Sequence, residues 1–173
     1  TTVHVVSVDQ DESRSVALAA ESRGSYEACD VANNTERVSD LIADSDLVIS
    51  LLPAPMHPAI AQECIFHGRD MVTASYESPE MRAMHERAVQ ADIVVLNEVG
   101  LDPGLDHMSA MKIIDDIKSR GGEITSFVSL CGGLPAPEAA NNPLKYKFSW
   151  SPKGVLTACG NSARYRRDGK LVH

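Results

Sequence analysis

DLVISLLPAPMHPAIAQECIFHGRDMVTASY, residues 46–76, sets an apolar, β-branched run, a helix-length stretch and a second apolar run in succession. Strands apolar almost throughout, each followed by a helix, are buried on both faces, which is the condition of a parallel sheet. The unit recurs along the chain. Apolar runs begin near Thr2 (TVHVVSV), Ser25 (SYEACDV), Asp46 (DLVISLL), Asp70 (DMVTAS) and Asp92 (DIVVLN), separated by 23, 21, 24 and 22 residues. SRSVALAAES, TERVSDLIADS, HPAIAQECIFHG and SPEMRAMHERAVQ fill the intervals. In the second interval Thr35 is expected to cap a helix that turns Val38, Leu41 and Ile42 inward. In the fourth, Ser78 caps with Pro79 at the first helical position, and Met81, Met84 and Ala88 share one face. The expectation is an α/β fold, a Rossmann-like doubly wound parallel sheet.

The texture changes after Gly100. GLDPGLDH leads into a predicted helix from about His107 to Lys118, stopped by Gly121 and Gly122. EITSFVSLC reads as a strand by its period-two alternation, and the long turn GGLPAPEAANNP follows. A short strand KYKFSW, a helix capped by Ser151 with Pro152 in its first turn, and a hairpin around Asp168 and Gly169 complete the chain. Residues 1–103 are read as a partial dinucleotide-binding domain. Residues 104–173 are read as the truncated start of an α+β substrate and dimerisation domain.

With 173 residues, 43% hydrophobic and 23% charged, the chain has the composition of a globular protein and length for a real core. Sixteen Lys and Arg against 24 Asp and Glu give a net charge of -8, which argues against nucleic acid or an anionic membrane as partner. No apolar run approaches the roughly 20 residues that span a bilayer. The four cysteines, Cys29, Cys64, Cys131 and Cys159, lie 35, 67 and 28 residues apart, without a CxxC pair. They are expected to be reduced and mostly buried. Of 11 glycines only Gly24 and Gly68 precede Gly100, so the first hundred residues hold no glycine-rich phosphate loop.

A doubly wound sheet binds its ligand at the carboxyl ends of its strands. The first run ends in Asp9, suited to the ribose 2′-hydroxyl of NAD and repulsive to a 2′-phosphate; Asp9 or Asp11 serves equally well as a helix cap. The second ends in Asp30 and Val31, beside which an adenine ring can lie. The third ends in SLLPAPMH, whose prolines stiffen a loop, and the last two end in ASYESP and NEVGLDPG, gathering Ser75, Tyr76, Glu98 and Asp102. A carboxylate and a phenol there can orient a polar substrate or relay protons. The alternative is that Tyr76 packs under a loop and Asp102 caps a helix. Asp102, Asp106 and His107 cluster without the second histidine a metal triad needs, so no metal is expected. Cys131, before a double glycine, reads as a wall residue rather than a nucleophile.

DLVISLLP, MVTASYESPEM, NEVGLDPGLDHMSAMKII, SLCGGLPAPEAANNPLKYKFSWSPKGVL and DGKLV together resemble the glutamate-forming saccharopine dehydrogenases, including the C-terminal part of bifunctional aminoadipate semialdehyde synthase. The likeness is close over residues 46–173 and general before them. It implies NAD-dependent oxidation of saccharopine to glutamate and aminoadipate semialdehyde in lysine degradation. It further implies that Ser75, Tyr76, Asp102 and Cys131 meet the substrate, with Asp102 and Tyr76 catalytic. Asp9, Ser13, Asp30, Val31, Leu52, Ala74, Gly100, Leu101 and Pro103 would line the cofactor site. A homo-oligomer, fusion to a lysine-ketoglutarate reductase domain, and a mitochondrial or alternatively cytoplasmic location follow from the same likeness. The family opens with a strand and a GxGxxG-like loop, so the sheet is expected to lack its first strand and the isolated chain to be inactive. Two other readings are a carboxynorspermidine-type reductase, disfavoured by CGGLPAPE and NNPLKYKFSW, and a non-catalytic α/β assembly module.

Overall fold

The computed structural model describes residues 3–148, 151–160, 162 and 164–173, with the side chains at 157 and 158 excepted. The chain falls into two compact units, Thr1–Phe127 and Val128–His173.

The first unit is built of strand–helix–strand steps. Strand β1 (Val6–Asp9) leads through helix α1 (Glu12–Ser22) to β2 (Ser25–Ala28), and the two strands pair in parallel with Val6 opposite Ser25 and Asp9 opposite Ala28. Helix α2 (Thr35–Ala43) then leads to β3 (Leu47–Ser50), α3 (His57–His67) and β4 (Asp70–Thr73). Two short helices, α4 (Pro79–Arg82) and α5 (His85–Gln90), precede β5 (Val95–Leu96). Strands β3, β4 and β5 form a second parallel sheet in that order. In the doubly wound order 3-2-1-4-5-6, strands 3-2 and 4-5-6 remain neighbours when strand 1 is left out. The observed pairings, β1 with β2 and β3-β4-β5, are those.

One core serves both sheets. Cys29, Val38 and Ile42 from the first half pack with Ile60, Ala61, Cys64, Met71, Met81 and Met84 from the second, flanked by Val8, Val31, Val48 and Val95. Helix α2 buries Val38 and Ile42, one turn apart, as the 3.6-residue period dictates. Helix α3 ends on Gly68 in the left-handed conformation at φ 64°, with its N–H closing onto Cys64 and Ile65 carbonyls.

Several expectations are corrected. The first strand starts at Val6, and the expected start near Thr2 lies outside the described residues. Thr35 is the first helical residue rather than the cap; Asn34 holds that place, its N–H bonded to the Asp30 carbonyl at 2.9 Å. The fourth helix is broken, because the Met84 N–H reaches only to the Met81 carbonyl at 3.1 Å. This tighter i to i−3 turn still allows Met81, Met84 and Ala88 to be buried together. Helix α6 (Leu105–Ser119) starts two residues before the expected His107 and buries no residue.

EITSFVSLC is irregular and exposed. No described segment pairs with it, and alternation alone does not hold a strand without a ladder partner. In the second unit KYKFSW is likewise irregular over its described residues 145–148, with Ser149 and Trp150 outside them. The Asn142 side chain takes both Tyr146 backbone groups, donating to its carbonyl at 2.7 Å and accepting its N–H at 3.3 Å, where a strand would have used a neighbour. Helix α7 (Pro152–Ala158) is capped by Ser151 Oγ, which accepts the Gly154 N–H at 3.1 Å. The hairpin of β6 (Tyr165–Arg167) and β7 (Lys170–Val172) turns through Asp168 and Gly169, both at positive φ. Cys29 and Cys64 are buried, whereas Cys131 and Cys159 are exposed, since both lie in the thinly packed second unit.

Candidate active site

Strand β4 buries Met71 completely and Thr73 nearly so, and the chain leaves it through Ala74, Ser75 and Tyr76. The segment after β5 is laid against this exit. The Val99 N–H donates to the Thr73 carbonyl and the Glu98 N–H to the Ser75 carbonyl, each at 3.0 Å, and Glu98 Oε1 accepts the Glu77 N–H at 3.2 Å. Glu98 adopts a left-handed conformation, φ 63°, to make this turn.

Residues 100–104 then close on themselves. The Gly100 N–H donates to the Pro103 carbonyl and the Leu105 N–H to the Gly100 carbonyl, both at 2.9 Å. Gly104 sits at φ 145°, where a Cβ would stand 2.2 Å from the Gly100 oxygen and 2.8 Å from the Glu98 oxygen. A Cβ on Gly100 would stand 3.2 Å from that of Ala74. Only glycine fits the first position, and the knot is thereby pressed against the end of β4. Its tip carries Asp102 and Leu101 exposed, with Pro103 buried behind them across a cis peptide bond. Asp106 accepts the Gly104 N–H at 3.0 Å and bonds His107 Nδ1 at 2.7 Å. The hydrogen bond to Asp106 raises the His107 pKa, and the Asp102 and Glu98 charges add to it.

The structure brings the substrate candidate Ser75 together with the cofactor candidates Ala74, Gly100 and Pro103, and places the substrate candidate Asp102 on the loop they anchor. Tyr76 is exposed beside Ser75. Cys131 belongs to the second unit and is exposed there. Among the described residues no group of three or more His, Cys, Asp and Glu side chains is placed to hold a metal ion.

The remaining candidates lie at the ends of β1, β2 and β3. Asp9 Oδ1 accepts the Asp11 N–H at 2.9 Å, and Asp11 caps α1, accepting from the Ser13 N–H at 3.0 Å and the Ser13 hydroxyl at 2.6 Å. The Ser13 hydroxyl chiefly holds the Asp11 pKa below the usual carboxylate range. Asp30 accepts from the Asn33 side chain at 2.7 Å and the Ala32 N–H at 3.0 Å, which likewise lower its pKa. Val31 and Leu52 are half-buried against the core.

His57 is the residue that sequence reasoning passed over. It opens α3, its side chain is 2% exposed, and it joins three hydroxyls at the ends of β3 and β4. Nδ1 lies 2.8 Å from Ser50 Oγ, and Nε2 lies 2.8 Å from Ser75 Oγ and 3.1 Å from Thr73 Oγ1. Burial lowers its pKa and favours the neutral ring. The signal was present: three hydroxyl residues closing two otherwise apolar strands need a buried polar partner.

A family model described as the saccharopine dehydrogenase NADP binding domain matches residues 1–96, and one described as the saccharopine dehydrogenase C-terminal domain matches residues 100–173. The chain is 48% identical over 155 residues to saccharopine dehydrogenase [NADP(+), L-glutamate-forming] of Saccharomyces cerevisiae, covering 90% of this chain and 34% of that protein. It is 51% identical over 143 residues to mitochondrial alpha-aminoadipic semialdehyde synthase of Bos taurus, covering 83% of this chain and 15% of that one. The solved structure of apo saccharopine dehydrogenase (L-Glu forming) from Saccharomyces cerevisiae superposes with a TM-score of 0.83 at 45% identity, over 98% of this chain and 38% of the other. The chain thus spans about a third or less of the length of these relatives. With a nicotinamide-dinucleotide-binding model over its first 96 residues and this fold beneath it, the chain belongs to the saccharopine dehydrogenase family.

Proposed function

We propose that this chain carries the dinucleotide-facing strand ends and part of the substrate crevice of an enzyme that oxidises saccharopine to glutamate and aminoadipate semialdehyde. The observation that supports this best is the knotted loop 100–104, held against the end of β4 so that Ser75, Tyr76 and Asp102 lie on neighbouring segments. Saccharopine is a secondary amine bearing three carboxylates, and it calls for hydroxyl donors to bind it and a group able to take a proton. Ser75 and Tyr76 supply the donors. Asp102, exposed at the loop tip, or Tyr76 takes the proton that the amine loses before its neighbouring C–H bond breaks. A bound nicotinamide supplies the hydride acceptor. Water then adds to the resulting C=N bond, releasing glutamate and the semialdehyde.

The dinucleotide is proposed to be NAD, although the yeast relatives are named for NADP(+). Asp9 fits a ribose 2′-hydroxyl, since Oδ1 is held by the Asp11 N–H and Oδ2 remains to accept. A 2′-phosphate would meet the carboxylates of Asp9 and Asp11, and the nearby Arg14 guanidinium already faces Asp11 at 3.5 Å. Ser13, Asp30, Val31, Leu52, Ala74, Gly100, Leu101 and Pro103 are proposed to line the rest of that site. Cys131 is proposed to join the substrate wall, with residues 1–103 and 104–173 as the cofactor and substrate domains. A mitochondrial location is proposed from the named mitochondrial relatives of Bos taurus and Rattus norvegicus.

The test is to supply NAD or NADP and saccharopine to the full-length protein and follow reduced nicotinamide and glutamate together. Saturable, saccharopine-dependent formation of both supports the reading. Formation of neither sinks it and leaves a non-catalytic assembly module.

A further inference from the structure

We propose that His57 is a positioning residue for the substrate, holding the Ser75 hydroxyl through a ring protonated on Nε2 so that Ser75 presents its own proton to the crevice. The inference rests on the reading of Ser75 as a saccharopine contact. A neutral imidazole has one donor and one acceptor nitrogen. Nε2 faces Ser75 Oγ at 2.8 Å and Thr73 Oγ1 at 3.1 Å, and Nδ1 faces Ser50 Oγ at 2.8 Å. The two tautomers give Ser75 opposite characters. If the proton sits on Nδ1, Nε2 carries a lone pair, and Ser75 Oγ, the nearer oxygen at 2.8 Å, must donate to it because two lone pairs facing at that distance repel. The Ser75 O–H is then drawn inward, leaving only lone pairs for the crevice.

If the proton sits on Nε2, the ring donates to Ser75 Oγ, and the Ser75 O–H is released towards the crevice as a donor. Ser50, 3% exposed at the end of β3, then donates its own O–H to Nδ1, so every polar atom of the buried ring is satisfied. Thr73 Oγ1 accepts the Ser75 N–H at 3.3 Å, which fixes the backbone of the same residue. A substrate rich in carboxylates needs donors, and only the Nε2–H form makes Ser75 one.

Three variants of the full-length protein and one spectrum test this. His57→Leu should raise the saccharopine KM about tenfold, the cost of one misdirected hydrogen bond, and leave the dinucleotide KM within about twofold. His57→Gln, whose amide N–H can replace Nε2–H, should recover most of that loss. In a Ser75→Ala background His57→Leu should add less than about twofold. The 15N resonances of the His57 ring should report the Nε2–H tautomer and move in Ser75→Ala. A His57→Leu effect that persists undiminished without Ser75, or that falls equally on the dinucleotide, would make His57 a packing residue and overturn the proposal. An Nδ1–H ring with normal saccharopine turnover overturns it alone, whereas absence of turnover in the parent protein overturns it together with the assigned reaction.

Discussion

At the end of β1, Asp9 is a half-buried carboxylate with one oxygen engaged by the Asp11 N–H, and this divided role decides what its removal should do. Asp9→Ala should cost α1 little, because Asp11 supplies the cap itself, while relieving the repulsion of a 2′-phosphate. The ratio of kcat/KM with NADP to that with NAD should rise at least about tenfold in the full-length protein, the order of one charge-assisted hydrogen bond. An unchanged ratio removes Asp9 from the choice of cofactor. Asp102 is a different case, since its side chain is exposed on the loop tip and its substitution disturbs no packing. Asp102→Asn should slow saccharopine turnover about a hundredfold with the dinucleotide KM changed less than about threefold, the order expected of a lost proton acceptor. Turnover at the parent rate would leave Asp102 no catalytic part. The two histidines oppose each other in pH dependence. His57, with its folded-state pKa lowered by burial, resists protonation that the unfolded chain accepts, so its contribution to stability is lost as pH falls below the ordinary value of about 6.5 towards its folded value. His107, with its pKa raised by Asp106, contributes stability that is full below about 6.5 and is lost as pH rises through its folded value. Urea unfolding of the parent and His57→Gln across this range should show the acid-side decline reduced in the variant; parallel curves would contradict the assignment.

The loop between β5 and α6 owes its shape to one atom that is missing. A Cβ at Gly104 would overlap the Gly100 carbonyl at 2.2 Å, and the backbone at φ 145° is one that L-residues avoid. Gly104→Ala should therefore displace the knot, destabilise the first unit by about 1–3 kcal/mol and cut turnover more than Asp102→Asn does, because Ser75 and Asp102 lose their shared anchor. Urea midpoints and saccharopine kinetics on the variant check both effects, and a variant with parent-like stability would show the loop can open at no cost. The sequence made GLDPG visible as a loop at a strand end, because two glycines flanking a proline can do little else. Its folding back on Ala74 was not legible, since that depends on hydrogen bonds to the Thr73 and Ser75 carbonyls, distant in the chain. Elements set by local periodicity, such as α2 with Val38 and Ile42, were readable for the converse reason. EITSFVSLC shows where this fails: alternation marks which face a strand would bury, but the ladder that makes it a strand comes from another segment. His57 escaped notice because its partners, Ser50, Thr73 and Ser75, become neighbours only when β3 and β4 pair in register.

Among the described residues the two sheets of the first unit share no strand-to-strand hydrogen bonds, yet their helices and strands contribute to a single cluster of buried side chains. Cohesion between them is thus carried by side-chain packing, in which the fully buried Met71 of β4 shares one cluster with Cys29, just after β2, and with Val38 and Ile42 of α2. Cys64, also fully buried, has its thiol pKa pushed up to about 12 by the same apolar surroundings, a mark of how dry that centre is. Packing of this kind is cooperative, because a cavity at the centre removes contacts from every element that lines it. Met71→Ala should therefore lower the stability of the first unit by about 2–5 kcal/mol in urea unfolding. More tellingly, the backbone amides of β1–β2 should lose hydrogen-exchange protection along with those of β3–β4–β5, although Met71 lies only in β4. Loss of protection confined to β3–β4–β5 would mean that the sheets are stabilised separately and that the common core is contact without coupling.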